Sequence, residues 1–519
     1  MKYFSTRGGS EELSFEETVF TGLSPNGGLY IPTHIPSLPA NWQNDWKNYT
    51  FQELSVAVLS LYISPEEISQ KELKDLVDRS YESFRHPDVT PLQKVGDKTW
   101  ILELFHGPTF SFKDVALQFL GNLFEFFLKR KNANKGQGQK EDTLTVVGST
   151  SGDTGSAAIY GLRGKENVSI FILHPKGRVS PIQEAQMTTV TDANVHNIAV
   201  PGTFDDCQDI VKSLFSDKEF NDKYRLGAVN SINWARIVAQ TVYYFLSYLR
   251  LLASLPSSLD PSEIEVQYVV PTGNFGDILA GYYAKRMGLP MARLTIATNA
   301  NDILTRFWKT GRYEKVDSTQ SNSSLSNSDP SGVRETLSPA MDILVSSNFE
   351  RLLWYLAYEN TSTTDETSRR KEACETVARW MDDVKKQGRV EVSHAVLETA
   401  RRDFIAGRAD DSQTLETIKA YYRQSHVADP HTAVGLTVAG EVCVQNSSNV
   451  LQVVLSTAHP AKFSEAVSRA LDGAEGFDFK RQVLPVQFRG LLEKERKVVE
   501  VEKPDVGLVK AAIEKALAG

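Results

Sequence analysis

Lys113 has the surroundings in this chain that best suit covalent chemistry. It lies in the stretch Glu103-Leu-Phe-His-Gly-Pro-Thr-Phe-Ser-Phe-Lys-Asp114, among aromatic side chains and at the expected start of a helix. Loss of water disfavours an ammonium ion, so the pKa of such a lysine falls towards the range where its free amine attacks a carbonyl or acts as a base. The alternative is a lysine that extends from an apolar helix into solvent and has no chemical role.

A glycine-rich loop, Thr272-Gly-Asn-Phe-Gly276, is a candidate phosphate site. It follows a buried strand predicted at residues 266–270 and precedes a helix predicted at residues 277–284. In this arrangement the backbone N–H groups and the helix N-terminus point at an anion, and glycine allows the chain to approach it closely. A simple tight turn is the alternative, because the loop matches neither the Walker pattern nor the dinucleotide-binding pattern.

A second glycine loop, Gly148-Ser-Thr-Ser-Gly-Asp-Thr-Gly155, follows a strand predicted at residues 143–147. Its candidate ligand residues are four hydroxyl side chains and one carboxylate: Ser149, Thr150, Ser151, Asp153 and Thr154. Hydroxyl and N–H groups at this density could enclose a carboxylate or a second phosphate. Turn formation alone explains such a density poorly.

Two further segments carry polar groups at the ends of predicted elements. Asn233 and Arg236 open a predicted helix, where they could bind an anion together, because the planar guanidinium group has a fork of donors. An ordinary helix cap followed by a solvated arginine is the alternative. Thr457 presents a neutral hydroxyl after the last predicted strand, at residues 451–456.

These residues must be positioned by the elements around them. The first ninety residues predict a small helical domain, with Ser14 as a helix N-cap and helices at residues 51–63 and 65–81. Strands and helices then alternate, which predicts an α/β protein with a largely parallel sheet. We expect a large domain from residues 91–125 and 236–519 and a smaller domain from residues 126–235. Within the large domain, the composition predicts a disordered insertion at residues 317–331 and a helical excursion at residues 350–425.

Composition limits the classes of function. The 519 residues exceed what one core usually serves, and 41% hydrophobic content fits an ordinary soluble protein. The net charge of −8 provides no basic field for nucleic acid or anionic membrane. The three cysteines have no metal-ligand spacing, and no stretch is typical of a signal peptide or a membrane helix, so we expect a cytoplasmic protein without a metal site.

The lysine, the glycine loops and the final hydroxyl together suit a cofactor that carries an aldehyde and a phosphate. With these motifs the sequence resembles the threonine synthases, in the long form found in fungi. The resemblance spans nearly the whole chain apart from residues 317–331. It is carried by Pro108-Thr-Phe-Ser-Phe-Lys-Asp114, Ser151-Gly-Asp-Thr-Gly155, Asn230-Ser-Ile-Asn233, Gly273-Asn-Phe-Gly-Asp277 and Ser456-Thr-Ala-His-Pro460.

The resemblance implies pyridoxal 5′-phosphate, held by Lys113 as a Schiff base. It implies pyridoxal-phosphate fold type II, with two three-layer α/β domains of mainly parallel sheets and a small helical N-terminal domain. Thr457 would contact the pyridine nitrogen. The backbone N–H groups of the glycine loop would bind the cofactor phosphate, with an aspartate at the following helix start, so the implied residues are Gly273, Asn274, Phe275, Gly276 and Asp277.

The resemblance also implies a β,γ-replacement that converts O-phospho-L-homoserine and water to L-threonine and orthophosphate, the last step of threonine biosynthesis, with Lys113 as the base. The substrate-binding residues would be Ser149, Thr150, Ser151, Asp153, Thr154, Asn233 and Arg236. One alternative is a phospholyase that makes 2-oxobutyrate, ammonia and phosphate from the same substrate. Another is a non-catalytic pyridoxal-phosphate-binding paralogue. We expect a monomer or a homodimer.

Overall fold

The computed structural model of the protein describes residues 1–256, 259–315 and 332–518. The insertion predicted at residues 317–331 therefore lies outside the described residues. None of the helices in the described ranges is long and apolar enough to cross a membrane.

The N-terminal region is helical, as predicted, but also contains two short strands. Its elements are β1 (Tyr3–Ser5), α1 (Phe15–Thr21), β2 (Tyr30–Pro32), α2 (Trp42–Trp46), α3 (Phe51–Leu59) and α4 (Gln70–Tyr81). The strands pair antiparallel. Ser14 caps α1 through a capping box with Glu17, as the sequence predicts. Helix α4 begins later than predicted, because Ser69 and Glu72 form its capping box.

Beyond residue 90, strands and helices alternate. The first group is β3 (Leu92–Lys94), β4 (Thr99–Glu103), α5 (Lys113–Ala133), β5 (Leu144–Ser149), α6 (Asp153–Leu162), β6 (Val168–Pro175), α7 (Pro181–Thr188), β7 (Val195–Val200), α8 (Phe204–Ser216), α9 (Lys218–Tyr224) and β8 (Leu226–Gly227). The second group is α10 (Trp234–Ser254), β9 (Glu265–Pro271), α11 (Gly276–Met287), β10 (Leu294–Thr298), α12 (Ile303–Thr310) and β11 (Arg312–Glu314).

The remaining elements follow residue 332. They are α13 (Phe349–Glu359), α14 (Glu366–Gln387), β12 (Arg389–Glu391), α15 (His394–Asp403), β13 (Phe404–Arg408), α16 (Asp411–Tyr422), α17 (Pro430–Cys443), β14 (Val450–Ser456), α18 (Ser464–Ala470), α19 (Phe479–Gln482), β15 (Val499–Glu500) and α20 (Val506–Ala518). A 3₁₀ helix at Pro460–Phe463 connects β14 to α18.

The larger sheet has the strand order β13-β10-β9-β14-β4-β3. Its strands pair in parallel except for the edge strand β3, which is antiparallel to β4. Helix α17 packs on the face that contains Ile101, Val269 and Val454. Helices α10 and α11 belong to the core on the opposite face, with Tyr268 and Val270. The sheet is therefore the middle of three layers.

The smaller sheet has the order β15-β7-β6-β5-β8, and all of its strands are parallel. Phe171 and Leu173 face a core that includes α8 and α20. Ile170 and Ile172 face the opposite side and join the core that contains α5 and α6. Two three-layer units with mainly parallel sheets are thus confirmed.

Two parts of the predicted large domain differ from the sequence-based division. Residues 236–519 were all expected in the large domain, but β15 pairs with β7 and α20 packs on the smaller sheet, because their apolar residues Val501, Val509 and Ile513 complete its core. The helical excursion at residues 350–425 contains two strands. One of them, β13, is an edge strand of the larger sheet.

Candidate active site

Lys113 is the first residue of α5, and its side chain is only 12% exposed. Its Nζ lies 5.5 Å from the centre of the Phe112 ring. Burial lowers the pKa of Lys113 to about 8, although the nearby carboxylate of Asp153 opposes this shift. At pH 7 roughly a tenth of Lys113 therefore has a free amine, compared with less than about one in a thousand at the ordinary pKa of a lysine.

The loop before Lys113 is fixed by its own polar contacts. Thr109 donates to the Asp114 carboxylate from both its backbone N–H and its hydroxyl, at 2.8 and 2.7 Å. Phe110 has a positive φ of 60°, and its ring packs on the Arg85 guanidinium, 3.8 Å away. Arg85 also donates to the carbonyls of Gly107 and Pro108. The contacts hold the main chain that leads to Lys113 in one conformation.

Asp153 is the carboxylate that faces Lys113. Its Oδ2 lies 3.8 Å from Lys113 Nζ, while its Oδ1 accepts hydrogen bonds from Lys462 Nζ at 2.6 Å and Gln183 Nε2 at 2.8 Å. Burial alone would raise the pKa of Asp153, but the ammonium groups of Lys462 and Lys113 outweigh it and hold that pKa well below its usual range. The Asp153 carboxylate thus faces one amide and two ammonium groups.

The other residues of the second glycine loop divide into two groups. The Thr150 hydroxyl oxygen accepts hydrogen bonds from the N–H groups of Gly152 and Gly155, at 2.9 and 2.8 Å, so it shapes the loop itself. Within the described ranges, no protein group bonds to the three remaining hydroxyls, those of Ser149, Ser151 and Thr154. These three remain available to a ligand.

The first glycine loop, residues 273–276, presents its backbone N–H groups at the start of α11. None of these N–H groups has a protein acceptor in the part of the chain that the structure describes. The loop is held from the other side: Ser346 donates its hydroxyl to the Gly273 carbonyl at 2.6 Å, and Asn348 donates its backbone and side-chain N–H groups to the Asn274 carbonyl at 3.0 and 3.1 Å. A Cβ on Gly273 would lie 2.9 Å from the Ala340 carbonyl oxygen.

Asp277 is in the first turn of α11, and its side chain is buried beneath the helix. Its Oδ1 accepts hydrogen bonds from the hydroxyls of Tyr243 and Tyr244, and its Oδ2 is buried without a partner among the described residues. Burial raises the pKa of Asp277 to about 7. This side chain therefore packs against α10, and any role in cofactor binding is through the helix start.

Asn233 and Arg236 are both buried, and they differ in their contacts. Asn233 is the N-cap of α10, and its Nδ2 donates to the Val19 carbonyl at 2.9 Å, so its amide is engaged with the protein. Arg236 donates from Nη1 to the Val229 carbonyl, and its Nε is buried without a partner among the residues that the structure describes. No carboxylate among the described residues pairs with Arg236, and burial lowers its pKa to about 10. Its charge therefore suits an anionic ligand.

Thr457 directly follows β14 and lies beside the lysine loop. Its carbonyl accepts a hydrogen bond from the Phe112 N–H at 2.8 Å, and Ala458 forms a bridge with Ser111. The Thr457 hydroxyl has no protein partner in the described part of the chain, and the residue is buried. A neutral hydroxyl is thus held close to Lys113.

These groups meet at the carboxyl ends of three neighbouring strands. The first glycine loop follows β9, Thr457 follows β14, and the lysine loop follows β4. Unpaired N–H groups at a helix start suit a phosphate, a buried amine suits an aldehyde, and a neutral hydroxyl suits a ring nitrogen. The donor set therefore fits pyridoxal phosphate.

Sequence reasoning missed four residues of this site: Lys462, Gln183, Ser346 and Asn348. Lys462 offered a signal, because Ala461 and Phe463 flank it and place it, like Lys113, in apolar surroundings beside a recognised motif. The other three are polar residues whose partners are distant in sequence, and no local pattern marks them.

Three family models match this chain. The family described as pyridoxal-phosphate dependent enzymes matches residues 84–351, which defines the class of the protein. Flanking it, the threonine synthase N terminus matches residues 2–81 and the threonine synthase C-terminal family matches residues 432–513. The chain belongs to the threonine synthase family.

Relatives and solved structures support this assignment along the whole chain. The chain is 57% identical to a threonine synthase of Schizosaccharomyces pombe, covering 100% of this chain and 98% of the relative. It is 52% identical to one from Saccharomyces cerevisiae, covering 99% and 98%. A crystal structure of yeast threonine synthase superposes with a TM-score of 0.91 at 51% identity, covering 100% and 99%. A crystal structure of pyridoxal-phosphate-bound threonine synthase from Brucella melitensis superposes with a TM-score of 0.85 at 39% identity, covering 99% of both chains.

Proposed function

We propose that this protein converts O-phospho-L-homoserine and water to L-threonine and orthophosphate, with Lys113 as the residue that binds the cofactor aldehyde and moves protons. The observation that carries the proposal is the buried Lys113 amine, whose pKa is lowered to about 8. Membership of the threonine synthase family along the whole chain supports the same reaction.

Lys113 has two tasks in this proposal. When bound, pyridoxal phosphate supplies an aldehyde that bonds to an amine and a conjugated ring that accepts the electrons left when a proton leaves a neighbouring carbon. The Lys113 amine removes a proton first from Cα and then from Cβ of the substrate, as phosphate leaves from Cγ. It then returns protons to Cγ and Cα while water adds at Cβ. A lysine that gives and takes protons repeatedly needs a pKa near the working pH.

The remaining groups bind and orient. The first glycine loop would hold the cofactor phosphate through the N–H groups of residues 273–276, and Thr457 would contact the ring nitrogen. Arg236 is the candidate for the substrate phosphate, because its buried charge lacks a carboxylate within the described residues. Ser149, Ser151 and Thr154 would surround the substrate carboxylate. Asn233 would act through its helix cap, since its amide is already bonded to Val19.

Product analysis tests the proposal. Wild type, Lys113→Ala and the exposed control Lys371→Ala each receive pyridoxal phosphate and O-phospho-L-homoserine, and threonine, 2-oxobutyrate and phosphate are quantified. We expect equal amounts of threonine and phosphate from wild type and from the control, whose side chain is 79% exposed, and neither product from Lys113→Ala. Formation of 2-oxobutyrate in place of threonine would assign the phospholyase reaction.

A cytoplasmic location and a monomeric or homodimeric state remain predictions from the sequence. Cell fractionation tests the location. Analytical ultracentrifugation of the purified chain tests the oligomeric state.

A further inference from the structure

Lys462 is a second buried lysine in the active site, beyond the one that carries the proposed chemistry. It lies in the 3₁₀ helix Pro460–Phe463, and its side chain is 0% exposed. Its Nζ donates to Asp153 Oδ1 at 2.6 Å and to the Thr109 carbonyl at 2.9 Å. The ammonium group therefore links the start of α6 to the loop that precedes Lys113.

The two carboxylate oxygens of Asp153 have different surroundings. Oδ1 receives the short hydrogen bonds from Lys462 and from Gln183 Nε2, at 2.6 and 2.8 Å. Oδ2 lies 3.8 Å from Lys113 Nζ, beyond hydrogen-bonding distance. A buried carboxylate needs an ionic partner to stay charged, and the shorter distance identifies Lys462 as that partner.

We propose that Lys462 is a positioning residue for the reaction: its ammonium ion keeps Asp153 ionised and turned so that Lys113 meets only the more distant Oδ2, which leaves the Lys113 amine free to accept protons. This inference rests on the proposed function of Lys113. Because Lys462 bonds to Asp153 and to Thr109, it acts on the reacting lysine through these two residues.

The charges around Lys113 explain the effect. Asp153 faces it from α6, Lys462 from the 3₁₀ helix, Arg236 from α10, and Asp114 follows it on α5. With Lys462 in place, the charge of Asp153 is already compensated, and a Lys113 ammonium ion is repelled by two further cations. Without Lys462, Asp153 would pair with Lys113 alone and stabilise its ammonium form.

The test measures the Lys113 amine directly. In the full chain from which bound cofactor has been removed, the rate of acetylation of Lys113 is followed against pH by isotope labelling and mass spectrometry, in wild type, Lys462→Met and Lys462→Arg. We expect Lys462→Met to raise the pKa of Lys113 by about one unit or more, in the range that a nearby charge produces. Lys462→Arg keeps the charge and should leave this pKa close to the wild-type value. No rise in the methionine variant, or an equal rise in both variants, would overturn the inference.

A double variant covers the case in which Lys462→Met does not fold. Asp153→Asn combined with Lys462→Met leaves neither ion of the pair buried alone. In this double variant the pKa of Lys113 should stay close to the wild-type value or below it, because the carboxylate that would stabilise the ammonium ion is absent. A rise of about one unit there would contradict the proposed charge balance.

The acetylation readout is independent of the reaction catalysed. If wild type forms no threonine but Lys462→Met still raises the Lys113 pKa, the proposed function fails and the role of Lys462 stands. If wild type forms threonine but Lys462→Met leaves the Lys113 pKa unchanged, the proposed function stands and the role of Lys462 fails. In the active enzyme, the rise of kcat with pH should shift upward in Lys462→Met and remain in place in Lys462→Arg.

Discussion

Gly121 of α5 and Gly161 of α6 lie against each other where the two helices cross. A Cβ on Gly121 would come within 2.0 Å of the Gly161 carbonyl oxygen, and a Cβ on Gly161 within 2.4 Å of the Leu117 carbonyl oxygen. Helix α5 begins at Lys113 and helix α6 begins at Asp153. The distance along the chain from Lys113 to Gly121 equals that from Asp153 to Gly161. The close crossing therefore fixes how near the proposed reacting lysine comes to its carboxylate.

Gly121→Ala should separate α5 from α6. The added methyl group meets backbone, which cannot move aside, so we expect a loss of about 1–3 kcal/mol in the free energy of unfolding and a fall in kcat. Thermal unfolding and steady-state kinetics measure both. Gly440→Ala is the matched control, because Gly440 lies in α17 and a Cβ there would have no described atom within 4 Å apart from those of its own stretch of helix. This variant should be neutral or stabilising. Equal behaviour of the two variants would contradict the crossing argument.

Ser346→Ala should weaken cofactor binding. The hydroxyl holds the Gly273 carbonyl on the side away from the free N–H groups, and one hydrogen bond contributes about 1 kcal/mol, or roughly fivefold in Kd. Absorbance titration with pyridoxal phosphate measures this change. Ser347→Ala is the control, since Ser347 is bonded to the Asn274 side chain and leaves the loop carbonyls untouched. A Ser347→Ala variant that loses as much affinity would show that the loop is not oriented in this way.

Arg236→Met should lower kcat/KM for the phosphorylated substrate. A charged group that bonds to an anion contributes about 1.5–3 kcal/mol, which corresponds to roughly 10- to 150-fold. The melting temperature of the cofactor-free chain should change little, because no carboxylate within the described residues pairs with Arg236.

Arg351→Met provides the contrast for Arg236. Its guanidinium group is fully buried and donates to the carbonyls of Tyr30 and Ile232 and to the side chain of Asn348. This variant should lose stability, as seen by a lower Tm. If Arg236→Met instead lowers Tm with unchanged kcat/KM, Arg236 is a structural residue.

Asp277→Asn should change how stability depends on pH. The pKa of Asp277 is raised from 3.8 to about 7 in the folded protein, so the folded state binds the proton more tightly than the unfolded state. The stability from this proton is fully present below about pH 4 and is lost as pH rises through about 7. The asparagine variant has no such loss. As pH rises over this range, its free energy of unfolding should increase relative to that of wild type by an amount on the order of a few kcal/mol.

Urea unfolding at several pH values measures the effect of Asp277→Asn. Asp472→Asn, at an exposed position, is the control. A plot of its free energy of unfolding against pH should run parallel to that of wild type. Parallel curves for Asp277→Asn as well would show that the carboxyl beneath α11 is not held protonated.

The sequence predicted the parts of the site that rest on local patterns. Lys113 and the glycine loops were visible because a strand, a glycine-rich loop and a helix follow one another within a short stretch. The α/β class followed from the same alternation. Helix α4 was placed too early because Ser64 and Ser69 both precede a glutamate by three residues and both resemble caps. In the structure Glu67 accepts a hydrogen bond from the backbone N–H of Glu16 instead, and of the two serines Ser69 forms the capping box, with Glu72.

The remaining features depend on contacts between distant residues. Asn233 is engaged with the protein and Arg236 is available to an anion, and only their hydrogen-bond partners show this difference. In the sequence a helix cap and a ligand-binding residue look alike. The pairing of Lys462 with Asp153 and of Ser346 with Gly273 joins segments that only the folded chain brings together. Likewise, strand β15 has two residues, too few for a periodic pattern to indicate the sheet it joins.

The position of β15 has a consequence for synthesis on the ribosome. It covers the edge of β7, and the neighbouring hydrogen bond from Asn197 to the Lys497 carbonyl spans 300 residues of chain. While those residues are still being translated, β7 has an open edge, and open strand edges invite pairing with other chains. The nascent protein therefore passes through a prolonged aggregation-prone stage, in which a chaperone that shields this edge would raise the yield of folded enzyme.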